Sequence, residues 1–178
     1  MTGKIENEAR AGGEVGDVTS EPSTSTSAGV TMTLWTRTPV CGSPTSVINR
    51  LGRLRATGAI EAFEVRTWPN EIELSAKTGS DPVVETFERF EAWAADRGLS
   101  VRPGFDVRTV SPLVGREREL LTLPMMCLAV RVDGETGAEN TDAAGNGADD
   151  LVGVFPCRDG ERTWTIGDYL DAYEMDET

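Results

Sequence analysis

The chain has 178 residues, enough for one domain, and carries 30 acidic against 17 basic side chains, a net charge of −13. It contains no histidine, which excludes histidine-dependent triads and most zinc hydrolase sites. Hydrophobic residues make up 38% of the chain and include four tryptophans, so it can build a core in spite of its charge.

The N-terminal part combines a polar tail with a strand and a helix. Residues 1–28, rich in Gly, Ser, Thr and Glu, predict a disordered tail. Alternation of apolar and polar residues from Val30 predicts the first strand. Ser43 as a cap and Pro44 at the first helical position then predict a helix, and Gly58 ends it.

The middle of the chain predicts a strand, a short alternating segment and a second helix. The strand spans 60–68, and the alternation resumes at 72–74 after a Pro-Asn break. Asp81 and Pro82 open the second helix, and Gly98 closes it. The helix has a predicted buried face of Val83, Val84, Phe87, Phe90 and Trp93 or Ala94.

The C-terminal part predicts a hairpin and a closing helix. Apolar runs at 126–132 and 151–155 are joined through an Asp-Gly turn if residues 135–150 are treated as a disordered acidic insertion at the hairpin tip. Thr165 and Asp168 resemble a capping box at the start of the last helix. One further strand at 105–110 is uncertain.

The predicted order is therefore β-α-β-α-β-β-α within one α/β domain over 29–175. Helices between strands favour right-handed crossovers and parallel pairing in the first half, and the hairpin adds antiparallel strands. The prediction is a mixed β-sheet flanked by helices. A ferredoxin-like α+β sandwich is the alternative, because it also alternates strands and helices.

This order resembles the thioredoxin-like fold. Cys41 lies in the loop between the first strand and the first helix, and Pro124 precedes a core strand, where that fold carries a cis-proline. The resemblance implies a thiol protein with Cys41 as its catalytic residue, and a thiol just upstream of a helix is a reactive position. The motif 41–44, however, reads Cys-Gly-Ser-Pro and lacks the resolving thiol of Cys-x-x-Cys.

The other two cysteines indicate structural roles. Cys127 lies in an apolar strand and is expected to be a core residue, and Cys157 is expected to be inert. Three scattered cysteines form no metal pattern, and no metal or cofactor is expected. Glu117 and Glu119 flank Arg118 in a predicted polar loop that carries no chemistry.

Arginines on the predicted first helix suggest that the chain binds nucleic acid. Arg50, Arg53 and Arg55 stand near its end, where a winged-helix recognition helix would offer phosphate contacts. The alternative is an amphipathic helix with a solvated arginine face, which the net charge of −13 favours.

Four phrases are similar to those of a haloarchaeal family labelled helix-turn-helix domain proteins. They are RLRATGAIEAFEVRTWP, FERFEAWAADRGL, LPMMCLA and VFPCRDGERTWTIGDYLDAYE. The resemblance implies a DNA-binding regulator. Lys4 and Lys77 as the only lysines, with a surplus of carboxylates, fit a halophile cytoplasm, since the Debye length at molar salt is about 3 Å.

The function predicted from the sequence is a non-catalytic regulatory or protein-interaction domain with a protein partner. A DNA-binding regulator and a Cys41 thiol protein are the alternatives. The chain has neither a signal-peptide pattern nor an apolar run of spanning length, so a cytoplasmic protein without a membrane segment is expected.

Overall fold

The computed structural model describes residues 29–38, 44–74, 81–102, 104–133 and 150–176. The elements, in chain order, are β1 (Val30–Arg37), α1 (Pro44–Thr57), β2 (Ala62–Trp68), β3 (Glu71–Glu73), α2 (Pro82–Asp96), β4 (Asp106–Val110), β5 (Arg118–Thr122), β6 (Met126–Val132), β7 (Leu151–Phe155), β8 (Cys157–Asp159), β9 (Arg162–Trp164) and α3 (Ile166–Asp176). The chain is thus a mixed α/β protein, as the sequence predicts.

A four-stranded mixed sheet in the order β2-β1-β6-β7 forms the centre. Strands β1 and β2 pair in parallel, and β6 pairs antiparallel with both β1 and β7. The pairing of β6 with β7 confirms the predicted hairpin. The thioredoxin-like order stays a prediction, and the expected cis-proline at Pro124 is wrong, because the cis peptide bond of the described residues precedes Pro156 instead.

Helix α1 is the crossover that joins the parallel strands β1 and β2. Its buried Leu51 and Leu54 pack with Met32, Leu34 and other side chains from one face of the central sheet. Helix α3 contributes to the same core. The arginine-bearing segment therefore lies against the sheet, as predicted.

The opposite face of the central sheet carries a second core built from aromatic rings. Phe105 lies at its centre, fully buried, with ring centroids 5.6 Å from Trp68, 5.3 Å from Phe87 and 6.1 Å from Phe90. Helix α2 and the strand β5 close this core from outside. Because alternate residues of β1 face the two cores, Leu34 packs in the first and Trp35 in the second.

Two smaller sheets were missed by the sequence prediction. Strands β3, β5 and β4 form a three-stranded antiparallel sheet, and β8 and β9 form a short hairpin. The predicted polar loop around Arg118 is wrong in part, because Arg118 and Glu119 belong to β5. The uncertain strand at 105–110 is confirmed as β4.

Helix ends follow the local signals in the sequence. The Asp81 side chain accepts a hydrogen bond from the Val83 amide at 2.8 Å, and α3 begins with a reciprocal box in which Thr165 and Asp168 bond each other's amides at 2.9 and 3.1 Å. Gly58 has φ +80°, which a glycine after a helix adopts at little cost.

Besides Cys41, further predictions fall outside the described residues. They concern the polar tail at 1–28, the helix cap at Ser43 and all but the last residue of the acidic insertion at 135–150. The assignment of 29–175 to one domain also stays a prediction.

Candidate functional site

The three arginines of α1 occupy different environments. Arg50 donates from Nη2 to Asp171 Oδ1 at 2.6 Å and from Nε to Glu174 Oε1 at 3.0 Å, both on α3. The hydrogen bond to Glu174 is the main reason why the pKa of Arg50 is raised. Arg53 and Arg55 are exposed. The helix thus offers two solvated guanidinium groups, while the third holds α1 to α3.

The cysteines give the described part of the chain no reactive thiol. Cys127 is fully buried in β6 and, as predicted, is a core residue; burial raises its pKa far above the ordinary thiol range. Cys157 is buried in β8, and desolvation raises its pKa as well. A protonated thiol is a poor nucleophile. Cys41 lies outside the described residues, so its role stays a prediction.

The described ranges hold neither a metal-binding cluster nor a membrane-spanning helix. Among those residues, no group of three or more Cys, Asp and Glu side chains is placed to hold a metal ion. No helix there combines the length and apolar character that crossing a bilayer requires.

The most unusual surface is a solvent-exposed arm made by the ends of β4 and β5 and the turn between them. We define the arm as residues 108–119, all of which are exposed. At its tip Leu113 is fully exposed and Val114 is 91% exposed. The two adjacent aliphatic side chains form an exposed apolar surface at the tip.

Ion pairs hold the base of the arm to the neighbouring strand β3. Arg108 Nη2 lies 3.0 Å from Glu71 Oε2, and Arg118 Nη1 lies 3.8 Å from Glu73 Oε2. Closer to the tip, the Ser111 hydroxyl donates to Glu117 Oε1 at 2.9 Å. These contacts and the β4–β5 ladder fix the direction in which the tip points.

Sequence reasoning missed the arm, although a signal was present. The tip reads Ser-Pro-Leu-Val-Gly at 111–115, after the alternating segment 106–110 and before the charged run 116–119. Gly115 has φ +127°, a conformation that favours glycine at this turn. A Pro-to-Gly turn after an alternating segment is a turn signal, and two aliphatic residues inside such a turn mark it as unusual.

A comparison with family models identifies the chain's relatives. The model described as "Helix-turn-helix domain" matches residues 24–178, which is most of the chain. The chain belongs to this helix-turn-helix domain family. No curated protein and no solved structure matches it.

The architecture of this helix-turn-helix domain family member differs from what the family's description suggests. Across the described ranges, β2 and β3 lie between α1 and α2, and six strands lie between α2 and α3. The described helices therefore follow strands rather than one another, and α1 packs its apolar face on a sheet. The described part of the chain therefore contains no pair of consecutive helices.

Proposed function

We propose that this chain is a non-catalytic regulatory domain that binds a protein partner through the arm. The observation that carries the proposal is the tip, where Leu113 and Val114 expose their whole aliphatic surface side by side. Burial of one such side chain contributes about 1.5–3 kcal/mol, so the tip offers a substantial gross gain to a complementary pocket.

The construction of the arm favours binding. Strand pairing runs from Asp106 opposite Thr122 out to Val110 opposite Arg118, directly below the turn. A tip held by a paired ladder loses less conformational entropy on association than a free loop would, so more of the burial energy becomes affinity. Alternating Arg and Glu side chains around the tip supply the polar rim that protein interfaces have.

The test is a double substitution at the tip. Leu113→Ser with Val114→Ser removes the apolar surface without touching the cores. The matched control is Met175→Ser on α3, because Met175 is also an exposed apolar side chain, at 71%. A partner purified with the tagged wild-type chain is identified, produced separately and titrated against all three proteins.

We expect the double substitution to weaken that binding by about 30-fold, the effect of losing a binding hot spot. Met175→Ser should bind like the wild type. Equal affinities for the double variant and the wild type would refute the proposal, and so would equal losses in the double variant and the control.

DNA binding is the second candidate, because the chain belongs to a helix-turn-helix family and Arg53 and Arg55 are exposed on α1. The net charge of −13 and the engagement of Arg50 by two carboxylates oppose it. A mobility-shift titration across salt tests it. DNA binding predicts an affinity that falls with salt and is lost in Arg53→Ala/Arg55→Ala but kept in Arg97→Ala/Arg102→Ala.

The proposed setting is the reducing, salt-rich cytosol of a halophile. The free thiols of Cys127 and Cys157 fit a reducing compartment. The near-absence of lysine and the surplus of carboxylates fit molar salt, in which repulsion between exposed charges is screened.

A further inference from the structure

A groove opens on the side of the molecule where α2, β7, the β8–β9 hairpin and α3 meet. Its volume is about 300 Å³, at the lower end of the range for small-molecule sites, about 300–1,000 Å³. The side chains that give it its character are Trp93, Arg97, Val152, Phe155, Trp164 and Tyr169. The groove is separate from the arm and from α1.

Aromatic rings dominate the lining. Tyr169 stacks on Phe155 with ring centroids 4.3 Å apart and an interplanar angle of 21°, while Trp93 and Trp164 come from other elements. Val152 on β7 is 47% exposed. Such a lining favours a flat, apolar molecule, because aromatic rings gain from stacking in addition to burial.

Trp93 contributes its ring to the groove rather than its N–H group. Its side chain is 6% exposed, and its indole Nε1–H has no acceptor among the described residues. A buried donor without an acceptor costs about 1–3 kcal/mol, and native structures rarely leave one unexplained. Because Nε1 itself is buried, as is the Nε1 of Trp35, it lies out of reach of a ligand, and the indole ring is what Trp93 offers to the groove.

Arg97 adds positive charge at the same place. Its guanidinium lies 5.1 Å from the centroid of the Trp93 ring, and Nη1 donates to the Trp93 carbonyl oxygen at 3.3 Å. Within the described ranges it makes no ion pair with a carboxylate. In a chain with net charge −13, an arginine without such a partner beside an apolar groove favours an anionic ligand.

The groove lacks the groups that would transform a ligand. The nucleophile in its lining is Cys157, whose pKa is raised by burial so that the thiol is protonated at neutral pH. The chain contains no histidine to act as a base. The groove is therefore suited to holding a ligand rather than reacting with it.

We propose that this groove binds a small planar aromatic carboxylate as an effector, with its ring against the aromatic side chains and its carboxylate at Arg97. The ligand would bridge α2 and α3, the helix that Arg50 connects to α1. The proposal goes beyond the protein-binding function and does not depend on it.

The test uses the full chain in molar KCl with naphthalene-2-carboxylate as the probe, followed through the indole N–H resonances. Of the four tryptophans, Trp93 and Trp164 line the groove, whereas Trp68 donates its N–H to the Pro124 carbonyl oxygen inside the core. We expect saturable shifts of the Trp93 and Trp164 resonances and unchanged Trp35 and Trp68 resonances.

Variants separate the ring from the charge. Ala172 is an exposed α3 residue that lines the groove. Ala172→Phe should fill the groove and lower the affinity for the carboxylate probe by at least about tenfold. Arg97→Met should lower the affinity for the carboxylate probe by about threefold, which is the size of effect expected for an exposed ion pair. Arg97→Met should leave the affinity for the neutral naphthalene-2-carboxamide unchanged. Arg53→Met on α1 is the matched control.

Several results would overturn the proposal. They are the absence of shifts at millimolar probe, equal shifts of all four indoles, and full affinity in an Ala172→Phe variant that melts like the wild type. Shifts of Trp93 and Trp164 that depend on protein concentration without the probe would assign the groove to a second copy of the chain instead, and would also overturn it.

Discussion

Replacement of Arg50 by methionine distinguishes a structural arginine from a DNA-contacting one. The side chain of Arg50 is 20% exposed and bridges to Asp171 and Glu174, which are 65% and 39% exposed. Methionine keeps the aliphatic stem that packs beside the core and removes the charge. The change therefore removes two charge-assisted hydrogen bonds between α1 and α3.

The structure sets the size of the effect. The bond to the exposed Asp171 contributes a few tenths of a kcal/mol, because solvent screens it, and the less exposed Glu174 contributes up to about 1 kcal/mol. We expect Arg50→Met to lower the free energy of unfolding by about 1–1.5 kcal/mol. For a chain of this length that corresponds to a fall in Tm of about 2–6 °C.

The assay is thermal unfolding followed by circular dichroism, with Glu174→Gln completing a double-mutant cycle. The cycle should show a coupling of about 0.5–1 kcal/mol between Arg50 and Glu174, which decreases as KCl rises. Arg53→Met is the control and should change Tm little, because Arg53 is exposed. If Arg50→Met and Arg53→Met had the same Tm, Arg50 would not stabilise the contact between the two helices.

Three further predictions concern stability. Phe105→Ala, at the centre of the aromatic core, should cost about 3–5 kcal/mol in urea unfolding, and a loss below 1 kcal/mol would contradict the described packing. Asp168→Asn should lower Tm at pH 7. Since the bonds from Thr165 lower the pKa of Asp168 below its usual 3.8, this contribution is lost as the pH falls through the folded-state pKa. The difference from the wild type should therefore close below about pH 4, and a constant difference down to pH 3 would contradict the assignment. The wild type should gain stability from low salt to molar KCl, and a Tm independent of salt would argue against adaptation to salt.

Local signals predicted most of the central fold. The alternation after Val30, the predicted strand at 60–68 and the apolar runs of β6 and β7 marked all four central strands. The Asp81-Pro82 pair and the Thr165–Asp168 box marked helix starts through hydrogen bonds that close within three residues. Such features depend on residues that are neighbours in the sequence, so the sequence alone predicts them.

Features that depend on contacts between residues far apart in the sequence could not be predicted from the sequence. Strand β5 begins with the exposed charged residues Arg118 and Glu119, so its sequence resembles a loop until β3 and β4 pair with it. Arg50 bonds to Asp171, 121 positions away in the sequence, and to Glu174, 124 positions away. No rule based on sequence spacing predicts contacts over such separations. The groove is assembled from four separate elements, and its character appears only when Trp93 and Tyr169 are brought to one surface.

Site-specific photo-crosslinking in the cells from which the chain comes tests the central proposal most directly. A photoreactive residue is placed at Leu113 on the tip or, in a second strain, at Arg53 on α1. Binding of a protein through the arm predicts one discrete protein adduct from position 113 and none of that mass from position 53. A DNA adduct from position 53 together with no protein adduct from position 113 would contradict the proposal.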